Sequence, residues 1–261
     1  MATRTVDARA PFGNPITLQH AASAAAVGDF SEGFLHYEPR ILAVLAAAEQ
    51  DKSLIVQTYA AVLWMISESP AGRPKANAHL ARARSAGLPA TERERRFAQA
   101  VAHWMDGEVL EAMALHEALA REHPRDLASI KLAQYHAFNL GDSPAMLRLA
   151  LHAQLAASEV AALHGMLAFG GEQCHRLDEA EAAARRALAM RPQDAWAQHA
   201  LAHVMLTDGR LAEGAYLLHQ VSGPWQQLTS FMRSHNWWHL ALFHIELGDD
   251  AAALKLYDAQ V

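Results

Sequence analysis

With 22 Lys and Arg against 28 Asp and Glu, this 261-residue chain carries a net charge of −6, which excludes the basic excess of a nucleic-acid or anionic-membrane binder. Its 52% hydrophobic and 19% charged residues supply a large core and argue against extensive disorder. The single cysteine, Cys174, excludes an internal disulfide framework and fits a reducing, cytoplasmic setting.

Met1 to Ile16 carries Arg4, Asp7 and Arg9, then Pro11, Gly13 and Pro15, without the apolar stretch of a secretory signal, and reads as an irregular arm. Thr17 to Gly28 spaces Leu18, Ala21, Ala22, Ala25 and Ala26 as one helical face, with the stop expected at Gly28. Pro39 suits the first turn of a helix over Arg40 to Gln50, and Asp51-Lys52-Ser53 breaks it. Leu54 to Glu68 predicts a buried helix. Its nearly apolar part, Leu54 to Ile66, has 13 residues, short of the roughly 20 that cross a bilayer. Lys75 to Ala86 predicts a fourth helix, closed by Gly87 and Pro89. Residues 1–92 are therefore expected to be the arm and a divergent helical cap, since the end of a repeat array needs atypical units.

From Arg93 the pattern becomes periodic. Setting a turn glycine at position 15 and a proline at position 32 places Gly107 and Pro124 in a unit starting at Arg93, and Gly141 in one starting at Leu127. Pro192 fits a unit starting at Ala161, with Ala180 and Ala187 as its small contact residues, and Gly209 fits one starting at Ala195. These starts are 34 residues apart each time, the period of the tetratricopeptide repeat. Gly248 implies a last start at Ser234, after an interval of 39 residues whose surplus holds Ser222-Gly223-Pro224-Trp225, a loop signature. The predicted fold is an all-α, right-handed superhelix of tetratricopeptide helix-turn-helix repeats over residues 93–261. The final helix, with Leu254, Leu256 and Tyr257, has no solvating helix after it. Continuation of the chain past Val261, or docking of this end, as in a homo-oligomer, is the expectation.

Two histidine pairs stand out. Trp196 to His203 and His235 to His239 each place two imidazoles four residues apart, on one face of the first helix of a unit. The blocks His164-Gly-Met-Leu-Ala-Phe-Gly170, Asp194-Ala-Trp196 through Ala202-His203, and His235-Asn-Trp-Trp-His-Leu-Ala-Leu242 through Leu256-Tyr257-Asp258 resemble the tetratricopeptide repeat protein 38 family. The resemblance implies a helical superhelix and a truncated or short member of a longer family. It carries no catalytic assignment.

In a tetratricopeptide superhelix the first helix of each unit lines the concave wall. Trp196, His199 and His203 face it from one unit, and His235, Asn236, Trp238 and His239 lie at the start of the helix in the next. His164 and Glu172, in the preceding unit, are expected to reach the same wall. Two functions follow. The first is a binding module whose His- and Trp-rich groove holds a peptide or small ligand. The second is a metal- or haem-dependent enzyme, because imidazole nitrogens suit transition metals and helices supply ligands at i and i+4. His199, His203, His235 and His239 are then the ligands. Neither pair has the His-Glu-x-x-His pattern, so a catalytic base has to come from elsewhere, such as Glu172 or Glu246. There is no Gly-x-Ser-x-Gly elbow, phosphate loop or CxxC. The remaining histidines, His116 and His136 among them, read as surface or packing residues.

Overall fold

The computed structural model describes residues 5–261. Among them a short hairpin precedes fourteen α-helices, and the chain divides into two compact units: the residues up to Leu35 with Arg40–Asp142, and His36–Pro39 with Ser143–Val261.

The expected irregular arm is corrected over its described part, Met1 to Arg4 lying outside the described residues. Strands β1 (Val6–Arg9) and β2 (Pro15–Leu18) pair antiparallel, Val6 opposite Leu18 and Arg9 opposite Pro15. Phe12 and Gly13 turn the chain with φ of 68° and 92°, and Arg9 Nη1 donates to the Gly13 carbonyl at 2.7 Å. Burial drives the pairing, since Ile16 and Leu18 are sealed into the core beside Val27 and Phe30. Thr17 and Leu18 are therefore strand rather than helix, and the Thr17 N–H donates to Glu94 Oε1 at 3.0 Å. The first helix, α1 (Ser23–His36), begins later than expected and passes through Gly28. Its stripe of Val27, Phe30 and Phe34 needs the extra turns to reach the core.

A 3-10 turn at Pro39–Leu42 leads into α2 (Ala43–Gln50), followed by α3 (Leu54–Ile66) and α4 (Gly72–Ala86). As its composition predicts, α3 is the buried centre of this unit, with Ile55, Val56, Tyr59 and Val62 almost inaccessible. The helices α5 (Glu92–Asp106), α6 (Val109–Glu122) and α7 (Leu127–Leu140) complete it. Arg93 pairs with Asp126 at 2.6 Å, both side chains buried.

The second unit holds α8 (Ser143–Ala153), α9 (Ala161–Gln173), α10 (Leu177–Met190), α11 (Ala195–Thr207), α12 (Leu211–Val221), α13 (Ser230–Glu246) and α14 (Asp250–Gln260). The first helices of the five periodic units thus begin within one residue of the predicted starts except α13, which begins at Ser230 instead of Ser234. Each of these five ends in one capping arrangement. A left-handed residue closes the helix, and the N–H after it reaches back to the carbonyl five residues earlier: Glu108 to His103, Asp142 to Ala137, Arg176 to Gly171, Arg210 to Met205 and Asp249 to His244, at 2.8–2.9 Å. Glycine supplies the left-handed φ at 107, 141, 209 and 248. His175, at the same position of its unit, adopts it with φ 59°.

The surplus before the last unit is a 3-10 turn, Gly223–Gln227, and not a plain surface loop. Trp225 is 1% exposed, donates its indole N–H to Gln198 Oε1 at 2.8 Å and meets the Trp237 ring edge-on at 4.9 Å. It fills the space between α11 and α13, which a standard 34-residue spacing would leave without this residue.

Candidate metal centre

Of the two histidine-bearing helices, α11 begins at its predicted residue and α13 begins four residues ahead of its own. Asp194 caps α11 by accepting the Ala197 N–H at 2.9 Å, and Thr229 precedes the first turn of α13. With starts set, His199 and His203 stack one turn apart on α11, as do His235 and His239 on α13. The two helices pack against each other and their imidazoles converge. His203 Nε2 lies 3.0 Å from His199 Nε2, His199 Nε2 lies 2.9 Å from His235 Nε2, and His235 Nε2 lies 3.1 Å from His239 Nε2. One nitrogen from each of the four rings falls within 4.8 Å of every other.

These contacts are too many for hydrogen bonding alone. A ring nitrogen offers either one N–H or one in-plane lone pair. His199 Nε2 and His235 Nε2 each face two neighbours, so at most two of the three contacts can be linear N–H···N bonds. A cation among them accepts four lone pairs at once. Four nitrogens about 2.0 Å from one tetrahedral ion stand roughly 3.3 Å apart, close to the three adjacent separations of 2.9–3.1 Å.

The surroundings pack the rings in place and disfavour the charged form of His235 and His239. His199 and His239 are 2% and 4% exposed. Burial lowers His235 to about 4, helped by the neighbouring His203. His239 falls to about 2, through burial first and then His203 and His235. A neutral imidazole is the form that ligates. Trp196 stacks on His199 at 4.7 Å and 18°, and Phe231 stacks on His235 at 5.4 Å and 13°. Phe169 closes on His199 at 5.2 Å, and Trp238 stands 5.3 Å from His239. Glu172 Oε1 lies 3.6 Å from His203 Nδ1. Burial raises this carboxyl, but hydrogen bonds with His203 and Gln173 outweigh it and hold Glu172 below the ordinary value. A carboxylate behind an imidazole orients a ligand and raises its basicity.

The predicted residues do not all meet here. His199, His203, His235, His239, Trp196, Trp238 and Glu172 are brought together. His164 is held elsewhere, its Nε2 2.8 Å from the Ser158 carbonyl and 3.1 Å from Arg186 Nε. Asn236 is buried on another face of α13, where its amide meets the Ala195 carbonyl at 3.4 Å. Glu246 is exposed at the far end of that helix. Sequence reasoning missed Phe169 and Phe231, which only the packing of α9, α11 and α13 brings against the rings.

Comparison with solved structures supports the helix pairing. The chain is similar to the crystal structure of a tetratricopeptide repeat protein from Parabacteroides merdae, with a TM-score of 0.55 at 12% identity over 77% of this chain and 75% of that one. The fold is that of tetratricopeptide repeat proteins. Two MamA crystal structures align with TM-scores of 0.48 and 0.47 at 12% and 13% identity, over 64% and 61% of this chain and 88% and 90% of theirs. No family model matches the chain. At these identities the likeness concerns the fold alone, so the chemistry of the histidine cluster has to be argued from its own geometry.

Proposed function

We propose that this protein is a tetratricopeptide-type repeat protein that binds one divalent transition-metal ion, zinc being well suited, through His199, His203, His235 and His239. The observation that carries the reading is the convergence of four Nε2 atoms with neighbouring separations of 2.9–3.1 Å. Imidazole suits zinc, copper, nickel and iron, and facing helices supply such ligands in bundle proteins. The spacing favours a single ion over haem, because axial imidazoles on a haem stand on opposite faces of the porphyrin, farther apart than these. The blocks that resemble the tetratricopeptide repeat protein 38 family include both histidine pairs, which supports placing the chain near that family. A cytoplasmic setting rests on the lone Cys174. No helix of the described residues is long and apolar enough to cross a membrane.

Metal content of the purified protein, with cobalt(II) titration of the chelator-stripped form, tests the proposal. One equivalent is expected. It is lost in His199→Ala and in His239→Ala while helicity is retained. A folded wild type that takes up no cobalt or zinc ends the metal reading.

The second reading is a scaffold whose His- and Trp-rich surface holds a peptide or small ligand, in keeping with the fold. It is favoured by Phe231 and Trp238, 60% and 42% exposed, which border an open cavity of about 410 Å³ with His235, Ser230, Ser234 and Val261. Burial of His199 and His239 weighs against their serving as the surface of such a groove, so this reading keeps Trp238 and His235 as its contacts. A metal-dependent activity would use the same cavity for its substrate.

A further inference from the structure

Residues His36–Pro39 join α1 to the 3-10 turn before α2, yet they belong to the second unit. They touch the starts of both histidine-bearing helices. His36 Nδ1 lies 3.1 Å from Oδ2 of Asp194, the residue that caps α11, and Glu38 pairs with Arg191 just before it. The Tyr37 carbonyl accepts the N–H of Thr229, the residue just before α13, at 2.7 Å. Between these two anchors the Tyr37 ring meets Trp196 at 5.3 Å and Phe231 at 6.0 Å. Those are the two rings stacked on His199 and on His235. Tyr37 holds this position with φ 58°, a left-handed conformation rare for an aromatic residue, and strain of this kind persists where the surroundings over-determine it.

We propose that Tyr37 is a positioning residue for the four-histidine site: it wedges between the aromatic backings of the two pairs and sets the separation of α11 from α13, so that both pairs meet one ion. The inference rests on the metal reading above. The carbonyl anchor fixes the start of α13, and the capping residue of α11 is gripped by the preceding histidine. The ring transmits the spacing to the imidazoles through Trp196 and Phe231. Nothing in the 34-residue period calls for this contact, because the segment lies far upstream of the repeats it joins.

Cobalt(II) titration followed by visible absorption separates this role from plain structural support. Tyr37→Gly removes the ring while easing the left-handed turn, and Tyr37→Phe keeps the ring. Phe231→Leu breaks the chain of rings at an exposed position where folding is least sensitive. Affinity is expected to fall about 10- to 100-fold in Tyr37→Gly, as for residues that orient ligands. The ligand-field bands of bound cobalt shift in both Tyr37→Gly and Phe231→Leu. Tyr37→Phe restores wild-type bands and affinity. Wild-type affinity and bands in Tyr37→Gly, or in Phe231→Leu should Tyr37→Gly not fold, overturn the positioning role and leave the metal reading standing. A wild type that binds no cobalt overturns both.

Discussion

His175 shows how a single backbone angle serves the repeat. Position 15 of the other four units is glycine, because the capping bond back into the helix needs a left-handed residue there. A side chain with a Cβ holds that conformation at a cost of about 1 kcal/mol or more. His175→Gly is therefore expected to raise unfolding stability by about 1 kcal/mol, the lower end of that cost, since glycine also gains freedom in the unfolded chain. Urea unfolding measures it, and a lowered midpoint would show that the imidazole makes compensating contacts. The position itself was legible, because neighbouring units set the period. The histidine was not legible as a turn residue, since nothing local marks it.

Between α12 and α13 the 3-10 turn replaces what the sequence presents as a loop. Gly223-Pro224 does break the helix, as Gly-Pro signals predict. The direction in which Trp225 points depends on Gln198 and Trp237, which lie on separate helices. Trp225→Ala removes a ring that is 1% exposed and leaves Gln198 Oε1 without its donor. A loss of about 3–5 kcal/mol is expected. Hydrogen exchange should report it as loosened α13 amides, while α9 stays protected. Uniform loss over both helices would mean that the turn supports the whole unit instead of the junction. Helix existence was readable because each helix carries apolar residues spaced close in sequence; side chains cap α5, α7, α11 and α14 but not α9 or α13. The early start of α13 at Ser230 was not readable, because Phe231 and Met232 belong to the helix only once Trp225 and Tyr37 are in place.

For the molecule as a whole, buried neutral histidines tie stability to pH. In the first unit, burial brings His116 to about 3, with a smaller push from His136, and His136 itself to about 4. His116 Nδ1 contacts Ser129 Oγ at 2.8 Å, and the His136 ring packs edge-on to Trp104 at 4.9 Å. Both folded values lie below the ordinary 6.5, so on acidification the unfolded chain takes up protons first. Their stabilisation is complete above about pH 6.5 and is lost as pH falls from there toward 4, by up to about 1.4 kcal/mol per pH unit for each ring. Unfolding free energies of the metal-free protein at pH 7.5, 6 and 5 should decline accordingly. His136→Phe, which keeps a ring against Trp104, is expected to flatten the decline by about one ring's share. An unchanged slope in that variant would show that His136 is not neutral and buried in solution. The sequence-based reading of these two as surface or packing residues resolves to packing. Their burial follows from α5, α6 and α7 closing on one another, which no single helix encodes.

The sequence by itself determined the helix pairs, their 34-residue period, the turn positions and the two i, i+4 histidine pairs. All of these arise from steric and hydrogen-bonding rules acting over a few residues, and a repeat restates them until they are unmistakable. Tertiary structure alone decided that the pairs meet with nitrogens about 3 Å apart, that His164 and Asn236 turn to other partners, that the opening residues pair as strands, and that Tyr37 enters the second unit. Those outcomes depend on how side chains from distant segments interdigitate. The register of one helix against another is a property of both surfaces together, and the free energy that selects it comes from burial that neither segment achieves alone.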